Sequence, residues 1–244
     1  MRFDVIESTN DEALRQAKLG VSEGYCVVAD KQIAGRGRKG RKWHSEEGGL
    51  YFSIVLRPSI GPRYLPVLTL VCAIAVYETV RQFCRTDPDI KWPNDILVSG
   101  KKISGILAET CETEKGTAVV VGIGINMEIK NMPDEVRNSA TSILDETDEP
   151  ADKEKVLRTL SGFLTEGYAN FKSPSDVEKV LGEWSKRSSY ANGRKVSVRK
   201  GKETLKGITA GLDKNGSLLV KMADGQLKTV TAGDIESVRP VRAA

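Results

Sequence analysis

A basic, glycine-rich run at residues 35–43, with the sequence GRGRKGRKW, most constrains how this chain can fold. Five of its nine residues are cationic and three are glycine, and it lies between strand-like apolar runs at residues 25–29 and 50–56. The run is therefore predicted to be a loop between two strands. Glycines let backbone amides approach a ligand closely, and arginines donate paired hydrogen bonds to phosphate or carboxylate. We interpret the run as an anion-binding loop.

The amino-acid composition limits the classes of function that the protein can have. A net charge of +4 over 244 residues is too small by itself to indicate a nucleic-acid-binding protein. The four cysteines are widely spaced, which favours free thiols in a reducing compartment, and a single histidine argues against zinc. The N-terminus lacks a signal-peptide core, and the longest apolar run, at residues 65–77, is too short to span a bilayer. We therefore expect a cytoplasmic protein without a membrane association.

The first helix is predicted from a capping box, with Thr9 as the N-cap and Glu12 three residues later. Ser8, Thr9 and Asn10 would then lie at the N-terminus of a helix, where free amides and small polar side chains can meet a ligand. Plain capping is the simpler interpretation, and the sequence alone favours it.

Patterns in the middle of the chain predict a core helix and a sheet. The helix is expected near residues 65–84, and strands are expected near residues 103–109 and 118–126. The last of these is almost wholly apolar, which predicts a central position in the sheet.

The next segment, at residues 127–150, is polar and contains prolines, which indicates a surface connection. Two amphipathic helices are predicted to follow, at residues 153–171 and 175–187. Ser175 and Glu178 fit a capping box for the second helix.

Near residue 190 the sequence pattern changes. Short segments in which apolar and polar residues alternate predict short strands joined by tight turns. Asn215-Gly216 and Asp224-Gly225 are hairpin signals. About fifty residues of this kind indicate a small SH3-like β-barrel. We predict one domain over residues 1–189 and a second over residues 190–244.

Three further segments contain polar residues that packing alone does not require. They are KWPND at residues 91–95, KKISG at residues 101–105 and GIGIN at residues 122–126. Alone, each is also explained by a turn, an exposed strand start or a twisted strand, because short motifs match by chance often.

Taken together and in order, these segments resemble the biotin protein ligases. The resemblance rests on Ser8-Thr9-Asn10, Gln32, GRGRKGRKW, KWPND, KKISGIL and GIGIN, and it covers essentially the whole chain. It implies an α+β fold, in which a mixed sheet is flanked by helices as in class II aminoacyl-tRNA synthetases, with the small C-terminal SH3-like barrel. It also implies a two-step reaction with Mg²⁺. Biotin and ATP form biotinyl-5′-adenylate, and a lysine of a biotin carboxyl carrier protein then attacks this anhydride.

The resemblance also implies roles for individual residues. The biotin-binding set would be Ser8, Thr9, Asn10, Gln32, Arg36, Gly37, Arg38, Lys102 and Gly105. The ATP-binding set would be Arg38, Arg41, Trp43, Lys91, Asn94 and Asn126. The catalytic residues would be Lys102, Arg38 and Asp95. Lys102 would lie where the biotin carboxylate meets the α-phosphate. Asp95 would orient or deprotonate the acceptor lysine, or help with Mg²⁺, and the metal ligands are left unknown.

The resemblance leaves several points open. Larger members carry an N-terminal helix-turn-helix domain, for which the residues before Ser8 leave no room, so we expect the short class without DNA binding. The sequence also leaves open whether the protein forms a homodimer. A lipoate or octanoate ligase of the same fold is one alternative. A nucleic-acid-binding module, which would use the basic loop and Trp43, is another from a different class.

Overall fold

A computed structural model of the chain describes residues 1–147, 149–200, 202–231 and 237–240. Its main sheet has seven strands: β1 (Arg2–Ile6), β2 (Cys26–Gln32), β3 (Gly49–Leu56), β4 (Asp89–Lys91), β5 (Asp95–Val98), β6 (Lys101–Thr113) and β7 (Gly116–Asn126). Their order is β1-β2-β3-β7-β6-β5-β4. β1 and β2 pair in parallel and the other neighbours are antiparallel, so the predicted mixed sheet is confirmed.

β7 lies at the centre of this sheet, as its apolar sequence predicts. Its residues from Ala118 to Asn126 are all buried, because one face of the strand packs in the main core and the other is covered by the first helix and by Trp43 of the loop. The predicted loop at residues 35–43 connects β2 to β3 and contains one short 3₁₀ turn, Arg38–Gly40.

In the described part of the chain, six α-helices flank or cap the sheet: α1 (Thr9–Lys18), α2 (Leu65–Phe83), α3 (Asp134–Arg137), α4 (Ile143–Thr147), α5 (Lys153–Ala169) and α6 (Pro174–Lys186). α2 packs against the sheet on one side and against α5 and α6 on the other. α1 covers the opposite face, where Ala13 and Ala17 are fully buried against Val27 and Val55. The flanking helices predicted from the sequence are thus confirmed.

The core helix is also the one described segment that is long and apolar enough to cross a bilayer. This segment, Pro62–Phe83, is 22 residues long, and 56% of its most apolar stretch is buried inside the protein. Val67, Leu68 and Val76 are fully buried in the main core. The apolar character of α2 therefore has an explanation in packing.

The C-terminal strands form a second, antiparallel sheet: β8 (Asn192–Lys200), β9 (Glu203–Leu212), β10 (Leu218–Lys221), β11 (Leu227–Val230) and β12 (Ser237–Pro240). The order is β11-β10-β9-β8-β12. Its apolar side chains join the main core. Residues 201, 232–236 and 241–244 of the predicted C-terminal domain lie outside the described residues. The boundary at residues 189 and 190 stays a prediction.

Three local predictions were wrong. The N-cap of α1 is Ser8 rather than Thr9, because the Ser8 hydroxyl accepts from the backbone amide of Asp11. The capping pair of α6 is likewise displaced, since the backbone amide of Ser173 donates to Asp176. Ser175 lies inside the helix.

The third error concerns residues 127–150, which are more than a surface connection. The segment contains α3 and α4, and Ala140, Thr141, Ser142 and Ile143 are buried. Backbone hydrogen bonds from Lys102 to Ser139 and from Thr141 to Lys102, of 3.0 and 2.9 Å, place the segment beside the start of β6.

Candidate active site

The loop between β2 and β3 covers a cavity of about 120 Å³ above the central strands. Most of the site residues predicted from the sequence line it. These are Ser8, Thr9, Asn10, Gln32, Arg36, Gly37, Arg38, Arg41, Trp43, Asn94, Lys102 and Gly105. The structure thus brings together residues from α1, β2, the loop, β6 and the segment between β4 and β5.

One end of the cavity is a network of uncharged hydrogen-bonding groups. Gln32 Oε1 accepts from the backbone amide of Thr9 at 2.8 Å and from its hydroxyl at 3.0 Å. Gln32 Nε2 donates to Ser45 Oγ at 2.8 Å. The buried Ser53 hydroxyl lies 2.8 Å from Thr9 Oγ1 and 2.7 Å from Asn10 Oδ1. Such a network fixes donors and acceptors in place, which suits recognition of a small polar ring.

A charged group borders this network. Asn10 Nδ2 donates to Glu109 Oε2 at 2.9 Å and to the carbonyl of Leu107 at 3.2 Å. The same carboxylate binds both terminal nitrogens of Arg36 at 2.8 Å, and Arg36 also pairs with Asp11 at 2.5 Å. The Arg36 guanidinium is therefore held by two carboxylates at the end of the site.

The rest of the loop folds over the cavity through its own backbone. Gly37 N donates to the carbonyl of Arg41 at 2.6 Å, and Trp43 N donates to the carbonyl of Gly35 at 2.9 Å. Arg38 Nη1 donates to Asn94 Oδ1 at 3.2 Å. Burial, aided by the charge of Arg41, lowers the pKa of the Arg38 guanidinium. Because the pKa of an arginine starts far above neutral pH, Arg38 nevertheless stays a cation, in a site built for negative charge.

Glycines on β7 form the floor and allow close packing of the two walls. A Cβ on Gly122 would collide with the side chain of Asn10, and one on Gly124 would lie 2.5 Å from Trp43 Nε1. The Trp43 indole lies across this floor, and Lys102 Nζ is 5.0 Å from the centre of its ring. Trp43 Nε1 is buried and has no hydrogen-bond partner within the described part of the chain.

Lys102 pairs with Asp95 at the other end of the cavity, with 2.5 Å between Nζ and Oδ1. Their side chains are 32% and 22% exposed. Burial alone would raise the pKa of Asp95, but Lys102, aided by Lys91 and Arg41, outweighs burial and holds this pKa below its ordinary value. Asp95 is therefore ionised at neutral pH and is a weak proton acceptor.

A second cavity, of about 940 Å³, meets the first at Lys102. Lys91 and Asp95 line this cavity and not the first, which separates them from the other predicted residues. Three more cations line its wall: Lys186, Arg187 and Arg194. Lys102 therefore lines both cavities.

The side chain of Asn126, a predicted ATP-binding residue, is buried and hydrogen-bonds to the protein backbone. It is 3% exposed, and its Nδ2 donates to the carbonyls of Thr141 at 2.9 Å and Lys102 at 3.3 Å. Asn126 therefore connects the end of β7 to the segment at residues 139–141, which borders Lys102.

Sequence reasoning missed Ser45, Ser53 and Glu109. Ser53 could have been found, because it is the one serine in the otherwise apolar and aromatic run of β3, where a buried polar group needs a partner. Glu109 carries no such signal, since acidic residues recur along β6. In the described residues no cluster of three or more His, Cys, Asp or Glu side chains could hold a metal ion.

The chain matches two protein families. Residues 2–126 match the biotin/lipoate A/B protein ligase family, and residues 192–237 match the biotin protein ligase C-terminal domain. These matches cover the strands that carry the site and most of the second sheet.

Individual relatives agree with these matches. The bifunctional ligase/repressor BirA of Bacillus subtilis is 38% identical over 96% of this chain and 72% of its own length. The biotin--[acetyl-CoA-carboxylase] ligase of Paracoccus denitrificans is 34% identical over 90% of this chain and 93% of its own. A biotin protein ligase of Aquifex aeolicus, solved with biotin and ATP, superposes with a TM-score of 0.85. It is 32% identical and covers 99% of this chain and 98% of that one.

Proposed function

We propose that this chain, which belongs to the biotin/lipoate A/B protein ligase family, activates biotin with ATP and transfers it to a lysine of a biotin carboxyl carrier protein. Its relatives are biotin ligases, and the C-terminal match is to a domain of biotin protein ligases, which disfavours a lipoate substrate. The observation that carries the proposal is the cavity itself. An uncharged polar network lies at one end, and Lys102 lies at the other, with Arg38 and Arg41 as further cations in the lining.

The uncharged end suits the head group of biotin, a cyclic urea with two N–H donors and one carbonyl acceptor. Thr9, Asn10 and Gln32 supply hydroxyl and amide groups that hydrogen bonds, including those from the buried Ser53, already hold in position. A preorganised set of this kind binds a small ring without the cost of ordering flexible side chains. The biotin tail would then run over the glycine floor, beside Trp43, toward Lys102.

The first step joins two anions. An oxygen of the biotin carboxylate attacks the α-phosphorus of ATP, the bond to the bridging oxygen breaks, and pyrophosphate leaves. Fixed cations offset the repulsion and stabilise the charge that builds up on the phosphate. Lys102 lies where the two cavities meet, and Arg38 and Arg41 line the first cavity. We assign the α-phosphate to this junction and the pyrophosphate side to the second cavity, near Lys91.

In the second step the acceptor lysine attacks the acyl carbon, AMP leaves, and an amide forms. The amine must lose protons in this step. Because Lys102 holds the pKa of Asp95 low, Asp95 is a poor base for an amine. We therefore assign Asp95 the role of orienting Lys102 and the incoming amine, and solvent accepts the protons.

Mg²⁺ enters this scheme as part of the ATP substrate. Mg²⁺ is usually bound through substrate phosphates, with one or two carboxylates and several waters. Asp89 and Asp95 are the carboxylates that line the second cavity, and Asp95 is the one that pairs with Lys102. The proposal also includes a cytoplasmic location, which is supported by four free cysteines.

A pyrophosphate-exchange assay tests the proposal. The protein, Mg-ATP and labelled pyrophosphate are mixed with biotin or with lipoate, and label in ATP is counted. We expect exchange with biotin alone. Addition of a purified biotin carboxyl carrier domain should then yield biotinylated domain, detected by its increase in mass. Exchange with lipoate only would contradict the proposal.

A further inference from the structure

Glu109 lies behind two residues that line the uncharged end of the cavity, Asn10 and Arg36, and contacts them with its carboxylate oxygens. Oε1 accepts from Arg36 Nη1 at 2.8 Å, and Oε2 accepts from Arg36 Nη2 at 2.8 Å. The Glu109 side chain is 25% exposed. Such two-pronged contacts between arginine and carboxylate are among the stronger and more directional hydrogen-bonded pairs in proteins.

The same Oε2 atom determines which way the Asn10 amide points. Asn10 Nδ2 lies between two acceptors, Glu109 Oε2 and the Leu107 carbonyl. A flipped amide would place oxygen against both of them, which is repulsive. Asn10 Oδ1 therefore faces the Ser53 hydroxyl at 2.7 Å, beside Gly122 on the floor.

Arg36 connects Glu109 to the loop. Gly35 and Gly37 flank Arg36 in the sequence, and its backbone pairs with Lys42 across the loop. Its guanidinium reaches β6 through Glu109 and α1 through Asp11. Since glycine-rich backbone has many conformations available, these side-chain contacts restrict the loop to its position over the cavity.

We propose that Glu109 is a positioning residue for biotin: it orients the Asn10 amide and, through Arg36, holds the basic loop over the head-group end of the cavity. This inference rests on the proposed function for its ligand, but the contacts that carry it are made by the protein alone. It also gives Arg36 a role that differs from that of Arg38. The charge of Arg36 is balanced by two carboxylates and serves to close the loop.

Two substitutions on β6 isolate this role. Glu109→Gln preserves the shape of the side chain but places an amide nitrogen against donors from Arg36 or Asn10. Glu112→Gln makes the same chemical change three residues later, where the carboxylate accepts from Thr117 outside the cavity. Each variant is assayed for the KM of biotin and of ATP in pyrophosphate exchange. The rate of trypsin cleavage within residues 36–42 is measured without ligand.

For Glu109→Gln we expect the KM of biotin to rise by about tenfold to a hundredfold, since hydrogen bonds to a charged group are lost. The KM of ATP should stay within about twofold, and the loop should be cleaved several times faster because it opens more often. Glu112→Gln should match the unmodified protein in all three measurements. A residue needed only for folding would not separate the two KM values.

Two outcomes would overturn the inference. One is a folded Glu109→Gln protein with unchanged biotin KM and unchanged loop cleavage, and the other is an equal rise in both KM values. If Glu109→Gln does not fold, Glu109→Asp serves instead, because its shorter carboxylate cannot reach Arg36 and Asn10 together. If the protein does not use biotin, exchange fails in every variant. Loop cleavage then still distinguishes Glu109→Gln from Glu112→Gln.

Discussion

The indole N–H of Trp92 donates a 3.0 Å hydrogen bond to the backbone carbonyl of Gly216, so the C-terminal sheet contacts the segment that carries Asn94 and Asp95. Trp92 is 2% exposed. The turn that contains Gly216 is itself held by Asp213, whose carboxylate accepts from the backbone amides of its neighbours. The second sheet therefore contributes to the position of the site segment, in addition to covering α2.

We predict that Trp92→Phe lowers the free energy of unfolding by about 1–3 kcal/mol more than a matched control, because the Gly216 carbonyl is left buried without its donor. The control is Trp184→Phe. Trp184 is also fully buried, but its Nε1 has no partner within the described residues. Denaturant unfolding of both variants measures the difference. Equal losses of stability would show that the hydrogen bond contributes nothing beyond the packing of the ring.

A second prediction concerns Lys102→Ala, which removes the cation at the junction of the two cavities. Adenylate formation in a single turnover should slow by about a hundredfold to a thousandfold, since a fixed charge is lost from the transition state. Lys101→Ala is the control, because Lys101 is the exposed neighbour on the same strand. Both variants should melt within a few degrees of each other. Unchanged adenylation in Lys102→Ala would show that Lys102 takes no part in adenylate formation.

The third prediction is a pH dependence of stability that comes from Asp95. Its pKa in the folded protein lies below the ordinary 3.8, so the stabilisation is complete above that pH and is lost as the pH falls through the folded value. The difference in unfolding free energy between the unmodified protein and Asp95→Asn should thus be constant at neutral pH and shrink below pH 3.8. Guanidinium unfolding at a series of acidic pH values measures it. A difference that grows toward acid would mean that the sign of the shift is wrong.

The sequence predicted features that depend on local pattern. The loop between two strands, the core helix and the central position of β7 follow from apolar runs and their boundaries, and the structure contains all three. The capping errors at Ser8 and Ser173 are shifts of one or two residues, because several neighbouring polar side chains could cap equally well.

The missed residues depend on contacts between distant parts of the chain. Ser53 faces Thr9 only because α1 packs over β3, and it lies opposite Gly122 in the register of β3 and β7. Glu109, on β6, contacts Arg36 only because the loop folds over the sheet. No local sequence pattern specifies these contacts, because they depend on strand pairing and on how the helix and the loop pack over the sheet. The alternation along β6 is the same for Glu109, which contacts Arg36 and Asn10, as for Glu112, which does not.

A fourth prediction separates the charge of the loop from its flexibility. Arg38→Gly should speed dissociation of the adenylate by about tenfold to a hundredfold, since charge-assisted hydrogen bonds are lost. Lys39→Gly is the control. Lys39 is exposed and has a φ of 57°, so glycine fits there without strain and adds similar backbone freedom. Adenylate release, followed by rapid filtration, should be unchanged in Lys39→Gly. Equal acceleration in both variants would assign the effect to loop flexibility.

The last prediction concerns the glycine floor. Gly124→Ala would place a methyl group 2.5 Å from Trp43 Nε1, so the indole must move off the floor toward solvent. Such overpacking costs about 1–3 kcal/mol. Trp92 and Trp184 are 2% and 0% exposed, so acrylamide quenching of intrinsic fluorescence reports mainly on Trp43. Quenching should increase in Gly124→Ala. Biotin should also bind more weakly, because the displaced Trp43 indole no longer packs beside the biotin tail. Gly182→Ala, on a helix with open space around the added methyl, should change neither. Unchanged quenching in Gly124→Ala would mean that the floor can yield without moving Trp43.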